Sequence, residues 1–192
     1  TLIAQTASRV PAISQSSRQD FEHWCREHHN VSQGFTPPGA ATGLPNGLAP
    51  TQHLSSELTS ANPPWPRPYA LFVGTVESRK NHILALRAWQ ELIASQGADN
   101  IPDLVCVGRL GWHATDFLRE YGFTHGLDGK ITVLSSSVSD AELANFYQHA
   151  QFTIYPSNYE GWGLPVSESL AFGKLPIVAD NSSLREAGGE LA

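Results

Sequence analysis

Two glutamates, Glu160 and Glu168, stand with seven residues between them around a glycine-bearing turn, Tyr159-Glu160-Gly161-Trp162-Gly163-Leu164-Pro165-Val166-Ser167-Glu168. Gly161 and Gly163 permit a tight loop whose backbone amides can approach a ligand, and Pro165 suits the first turn of a helix, where its missing N–H is not needed. A helix starting here aims unpaired amides and the positive end of its dipole at the loop, which favours a phosphate group. A carboxylate one turn along can accept hydrogen bonds from a vicinal diol such as a ribose, and Glu168 fits that position. Acids also suit an ordinary solvated helix start. The glycines, the proline and the spacing taken together favour a nucleotide site.

These ten residues, with Ser169-Leu170-Ala171-Phe172-Gly173-Lys174-Leu175-Pro176-Ile177-Val178-Ala179 after them, strongly resemble the donor-site signature of retaining GT-B glycosyltransferases of the family-4-like, group 1 type. That large family includes many bacterial mannosyl- and glucosyltransferases. The resemblance implies that Glu160 contacts the transferred sugar, that Glu168 holds the nucleotide ribose, and that the backbone at Gly161, Gly163 and Leu164 faces the donor. A second matching element is Phe72-Val73-Gly74-Thr75-Val76-Glu77-Ser78-Arg79-Lys80-Asn81. It implies that Lys80 sits on the donor diphosphate, where an ammonium stabilises the charge that develops as the glycosidic bond breaks. Many relatives carry Arg after the glycine that Gly74 matches. Thr75 stands there instead, so Arg79, or Arg109 in Val107-Gly108-Arg109, would supply the second cation. By resemblance the catalytic candidates are Glu160 and Lys80. The donor-binding set is Gly74, Thr75, Arg79, Lys80, Arg109, Glu160, Gly161, Gly163, Leu164 and Glu168. Looser similarity at Ile13 to Phe21 and at Pro37-Pro38-Gly39-Ala40 looks like the last helix of an acceptor domain and the crossover to the donor domain.

The elements that must position these residues are legible as alternating patterns. Apolar runs at Tyr69 to Val73, Leu104 to Val107, Ile131 to Leu134, Phe152 to Tyr155 and Leu175 to Ala179 are the expected strands. Four helical stretches intervene. One is Asn81 to Ser95, whose Ile83, Leu84, Leu86, Trp89, Leu92 and Ile93 fall close to one stripe. Another begins at Ser139-Asp140-Ala141-Glu142 with a cap-like start and runs through His149. The expected fold is therefore α/β, a Rossmann-like doubly wound parallel sheet, with ligands bound outside the carboxyl ends of its strands. Upstream, a Ser opens a helical stretch running to about His28, and prolines 63, 64, 66 and 68 prevent any helix or central strand from crossing that segment. The division expected is a remnant of the acceptor domain and a linker over 1–66, and a nucleotide-sugar-binding domain, incomplete at its C-terminus, over 67–192.

The charge balance, 12 Lys plus Arg against 18 Asp plus Glu for a net −6, repels polyanions, so nucleic acid is not an expected partner. No apolar run approaches the ~20 residues needed to span a bilayer, and no signal-peptide pattern opens the chain. Two cysteines, Cys25 and Cys106, make no disulfide framework, and a cytoplasmic setting follows as the default. The resemblance leaves room for peripheral association of the full enzyme with the inner face of a membrane. Cys25, His28 and His29 share helical spacing, but no second ligand pair follows, so no metal site is expected. With no Met and a start at Thr1, the chain reads as a piece of a longer enzyme, one that binds donor weakly and does not turn over alone. The full enzyme is expected to transfer a hexose, mannose being favoured, from a nucleoside-diphosphate sugar to a saccharide or lipid-linked acceptor in polysaccharide biosynthesis. GDP-mannose is the favoured donor, and no cofactor is implied. The competing classes are another nucleotide-binding Rossmann enzyme, such as an epimerase or dehydrogenase, and a non-catalytic nucleotide-binding module. Gly74-Thr75-Val76-Glu77-Ser78-Arg79 lacks the Gly-x-Gly-x-x-Gly turn that a dinucleotide site wants.

Overall fold

Five strands form one parallel sheet in the computed structural model, which describes residues 12–28 and 61–191. They are β1 (Tyr69–Val73), β2 (Asp103–Val107), β3 (Ile131–Leu134), β4 (Phe152–Tyr155) and β5 (Pro176–Val178), in the spatial order β3-β2-β1-β4-β5. Helices α2 (His82–Gln96), α3 (Thr115–Phe123), α4 (Asp140–His149) and α5 (Leu164–Ala171) connect them. α1 (Gln15–His28) precedes the sheet and α6 (Leu184–Gly188) follows it. The order reverses direction between β1 and β4, so the loops leaving those two strands diverge and open a crevice at the carboxyl edge. Residues 72–81 and 156–163 occupy it.

The strands are short and apolar because they are covered on both faces. Alternation along β1 sends Ala70 and Phe72 into the larger core, with Leu104, Cys106, Ile131, Leu86 and Trp89. Tyr69 and Leu71 point the other way, joining Val105, Val107, Ala144 and Tyr147 of α4. Each fully buried Leu or Phe adds about 1.5–3 kcal/mol of hydrophobic stabilisation. The Ser139 start is a full capping box: its hydroxyl accepts from the Glu142 amide while the Glu142 carboxylate accepts from the Ser139 amide.

The boundaries differ from expectation where polar groups intervene. β2 begins at Asp103, one residue early, because its carboxylate is buried and held by Trp65 Nε1 at 2.8 Å and Arg67 Nε at 2.7 Å. β5 loses both ends of its apolar run, and Leu175 is exposed. α6, five residues long, carries no periodic signal of its own. The Pro37–Ala40 crossover, His29 and most of the expected acceptor-domain remnant lie outside the described residues. Cys25 and Cys106 are free and buried. Among the described residues no helix is long and apolar enough to cross a membrane.

His82, at the start of α2, is buried to 2% exposure and stacks on Phe72 with centroids 4.0 Å apart. Among the described residues neither ring nitrogen has a hydrogen-bond partner. Burial, aided by the Lys80 charge, pushes its pKa down to about 3. The folded state thus refuses a proton that the unfolded chain accepts below its ordinary value near 6.5. Stability is lost as pH falls through that window, by about 2 kcal/mol at pH 5 from this residue. Urea titrations at pH 7.5 and pH 5 are expected to show this loss, and His82→Phe, which keeps the stack, to reduce it. An unchanged pH dependence in the variant would contradict the account.

Candidate functional site

The first strand's exit loop is shaped by close backbone approach. Gly74 N donates to Val107 O at 2.9 Å, and Val76 N donates to Arg109 O at 2.8 Å, so the loops after β1 and β2 remain paired beyond the strands. A Cβ on Gly108 would lie 2.0 Å from Gly74 O, so this contact admits glycine alone. Above Gly74 runs the Lys80 side chain, whose Cε would be 3.5 Å from a Cβ at Gly74. Asn81, with φ 62, ends the short turn Ser78–Lys80 and begins α2. Its amide donates to Pro156 O at 3.1 Å and to Asn158 Oδ1 at 3.2 Å, tying this loop to the one after β4.

The same crossing brings Glu160 to the two cations. Lys80 Nζ lies 2.6 Å from Oε1 and Arg79 Nη1 lies 2.6 Å from Oε2. Arg79 also reaches Glu77 at 2.6 Å and the Tyr159 carbonyl at 2.8 Å. Burial by itself would raise the Glu160 carboxyl. The bonds from Lys80 and Arg79, with the nearby Ser157 side chain and the Lys80 charge, outweigh it and hold the pKa below the usual value. Burial acts to lower the Arg79 value, and Glu160 and Glu77 together raise it. The backbone of Glu160 is fixed too: its amide donates to Ser182 Oγ at 3.0 Å and its carbonyl accepts from Ser183 Oγ at 2.8 Å. Those two serines, 22 and 23 residues downstream, position the acid. In the sequence this Ser-Ser pair after the last strand reads as a phosphate contact or as a cap on the following segment, not as a clamp on a distant loop.

Of the two glycines in the turn, Gly163 is the one that the backbone demands. It sits at φ 98, and a Cβ there would be 3.0 Å from Leu184. Gly161 has no such conformation; a Cβ would meet Ile13 at an ordinary 3.5 Å. Gly161 lies beneath α1, with the Ser17 hydroxyl donating to its carbonyl at 3.4 Å. α1 is held over this turn by Tyr159 Oη donating to Asp20 at 2.6 Å and by Glu186, which accepts the amides of Gln15 and Ser16 at 2.8 Å each. A carboxylate at a helix N-terminus is favourable by roughly 0.3–1 kcal/mol when exposed.

α5 starts immediately after Gly163, with Pro165 in its first turn, no acidic residue there and no side-chain cap. Leu164 is 49% exposed. Pro165 has no N–H and the Val166 amide donates to Gly163 O at 2.9 Å, so this end offers an anion the helix dipole more than free amides. Glu168, half-buried one turn along, accepts a hydrogen bond from Tyr147 Oη at 2.7 Å. Burial raises its carboxyl above the usual value, Tyr147 opposes this, and Asp140 adds to it. The helix floor is a fixed polar knot: Thr153 and Tyr155 hydroxyls meet Ser169 Oγ at 2.8 and 3.0 Å, and Ser169 Oγ donates to Pro165 O at 2.7 Å.

The loops after β1 and β4 thus gather Gly74, Arg79, Lys80 and Glu160, and Gly163 leads into α5, which carries Leu164 and Glu168. Thr75 is exposed beside Gly74. Arg109 is exposed and its side chain meets no partner among the described residues, while its carbonyl serves the Val76 pairing. Trp112 is 81% exposed, and His113 lines a cavity of about 160 Å³ with His82, Asn81 and Asp116.

Residues 58–190 match the family described as glycosyl transferases group 1. Among curated proteins, the serotype-specific mannosyltransferase WbdA of Escherichia coli is 28% identical over 190 residues, covering 92% of this chain and 22% of its own length. The O-antigen chain mannosyltransferase B of Escherichia coli is 37% identical over 123 residues, covering 64% of this chain and 31% of its own. The chain therefore spans between about a fifth and a third of these relatives. Among solved structures, Anabaena Alr3699/HepE in complex with UDP and glucose superposes with a TM-score of 0.67 at 16% identity, over 96% of this chain and 48% of that one, a likeness of fold. On the family match over most of its length, the chain belongs to the group 1 glycosyl transferases.

Proposed function

We propose that this chain is the donor-binding part of a retaining hexosyltransferase that passes a sugar from a nucleoside diphosphate to a saccharide or lipid-linked acceptor. The observation that carries the reading is the N-terminus of α5, without a side-chain cap, beginning four residues after Glu160, the acid that Lys80 and Arg79 hold. A diphosphate there meets a helix dipole and two cations, a set suited to a leaving group that gains negative charge. Glu168 takes the ribose diol and Glu160 faces the transferred sugar. The acceptor hydroxyl attacks the anomeric carbon on the face the phosphate leaves, its proton passing to the departing phosphate oxygen, so configuration is kept. No cofactor has a part in this scheme. The favoured donor is GDP-mannose, supported by the two relatives named as mannosyltransferases, and the favoured setting is cytoplasmic polysaccharide assembly. In this reading residues up to about 66 belong to the edge of the acceptor domain.

Thermal unfolding with GDP, UDP, ADP and NAD added separately tests this. At one hundred times its Kd a nucleoside diphosphate stabilises by about 2.7 kcal/mol, which for a chain of this size raises Tm by roughly 5–10 °C. Glu168→Ala is expected to remove most of that rise. Stabilisation by NAD alone would point to a dehydrogenase, and an undiminished rise in the variant would remove Glu168 from the site.

A further inference from the structure

We infer that Tyr147 is a positioning residue for nucleotide binding: it occupies one oxygen of Glu168 and aims the other at the ribose diol. The inference rests on the donor-site reading above and names a residue outside the turn that carries it. A glutamate side chain rotates about three torsions, and a half-buried one held by nothing would have to be ordered by the ligand itself. Glu168 is held before any ligand arrives. Its Oε2 accepts from Tyr147 Oη at 2.7 Å, and the oxygen left over, Oε1, is the acceptor available to a diol.

Tyr147 is suited to this because packing holds it on every side. It is fully buried, projects from the capped helix α4, and its ring stacks on Phe172 with centroids 5.4 Å apart and planes 10° off parallel. Phe172 directly follows α5, so the stack clamps the helix that carries Glu168. Burial, with the Tyr155 and Glu168 charges, raises the phenol well above its ordinary value. Tyr147 therefore keeps its proton and donates to the ionised Glu168, and a donor stabilises the carboxylate that a diol needs. The groups facing Glu168 are Tyr147 and Asp140 from α4 and Tyr155 from β4. Of these, the Tyr147 hydrogen bond lowers the Glu168 carboxyl, against burial and Asp140, which raise it. Losing the phenol hydroxyl moves Glu168 further up and frees its torsions.

The test measures binding of GDP and of 2′,3′-dideoxy-GDP to the chain by titration calorimetry from pH 5 to pH 8, UDP and ADP with their dideoxy forms being used if GDP does not bind. Wild type is expected to prefer the ribonucleotide. Tyr147→Phe is expected to lose about tenfold on the ribonucleotide, the worth of one hydrogen bond to a charged group, and nothing on the dideoxy form. The acid limb of ribonucleotide binding should move to higher pH. In a Glu168→Gln background the same change should cost nothing further. Phe172→Leu, which removes the stacked ring and keeps the phenol, should give a smaller loss of the same ribose-dependent kind, and serves if Tyr147→Phe does not fold. Equal losses on both ligands, or none on either, would overturn the positioning role while leaving the donor site standing. A wild type that binds the ribonucleotide and dideoxy forms equally would overturn both the role and the Glu168 assignment.

Discussion

Glu160→Gln is expected to bind a bare nucleoside diphosphate more tightly than wild type and to lose the extra affinity that the attached sugar confers. In the free protein the acid engages both cations, at 2.6 Å each. On the proposed donor-site reading, a diphosphate entering beside α5 competes with Glu160 for Lys80 and Arg79. Removing its charge frees them, and at close range an effect of about 1 kcal/mol, roughly fivefold in Kd, is a fair expectation. On that same reading the exchange gives Glu160 its role: with Lys80 drawn to the phosphate, the carboxylate would accept from a sugar hydroxyl. The neutral amide accepts less strongly, so the preference for nucleotide sugar over nucleotide should shrink by about tenfold. In a protein that also supplies the acceptor half, transfer is expected to fall by roughly 10²–10³. Calorimetric titration of nucleotide and nucleotide sugar into both proteins measures this. A variant that binds the bare nucleotide more weakly would mean that Glu160 aids the phosphate site rather than competing with it.

The second large effect falls on the fold that carries the site. Gly108→Ala places a methyl 2.0 Å from Gly74 O and 2.5 Å from Gly74 C. Both are backbone atoms, so the exit loops of β1 and β2 must separate. That endangers the bond from Gly74 N to Val107 O and the bonds exchanged between Val76, Arg109 and Gly111. Overpacking with the lost hydrogen bonds is expected to cost about 3–5 kcal/mol, a fall in Tm of roughly 10 °C for a chain of this length. Circular dichroism melts check it, and a fall of about 2 °C or less would show that the loops have room to part. Because Lys80 lies across Gly74, nucleotide affinity should fall with stability.

Much of this architecture is legible in the chain because it is local. Three of the five strands, at Tyr69–Val73, Ile131–Leu134 and Phe152–Tyr155, have the bounds expected for them, since a strand covered on both faces is filled by apolar and β-branched residues. The α4 start is legible because Ser139 and Glu142 satisfy each other within one turn. What is not legible is long-range and polar. Asp103 enters a strand only because Trp65 and Arg67, 38 and 36 residues upstream, meet its carboxylate. In the site, Lys80 and Glu160 read separately as a phosphate and a sugar ligand; that they neutralise each other across 80 residues follows from the β1–β4 neighbourhood alone. Ser182, Ser183 and Tyr147 are likewise ordinary residues until the sheet brings them under the two acids.

A structure of the chain with a bound nucleoside diphosphate tests the central claim most directly. The account predicts the diphosphate against the first turn of α5, within reach of Lys80, and the ribose hydroxyls on Glu168. A nucleotide seated elsewhere, with Glu168 still turned only to Tyr147 and the α5 terminus empty, would contradict it.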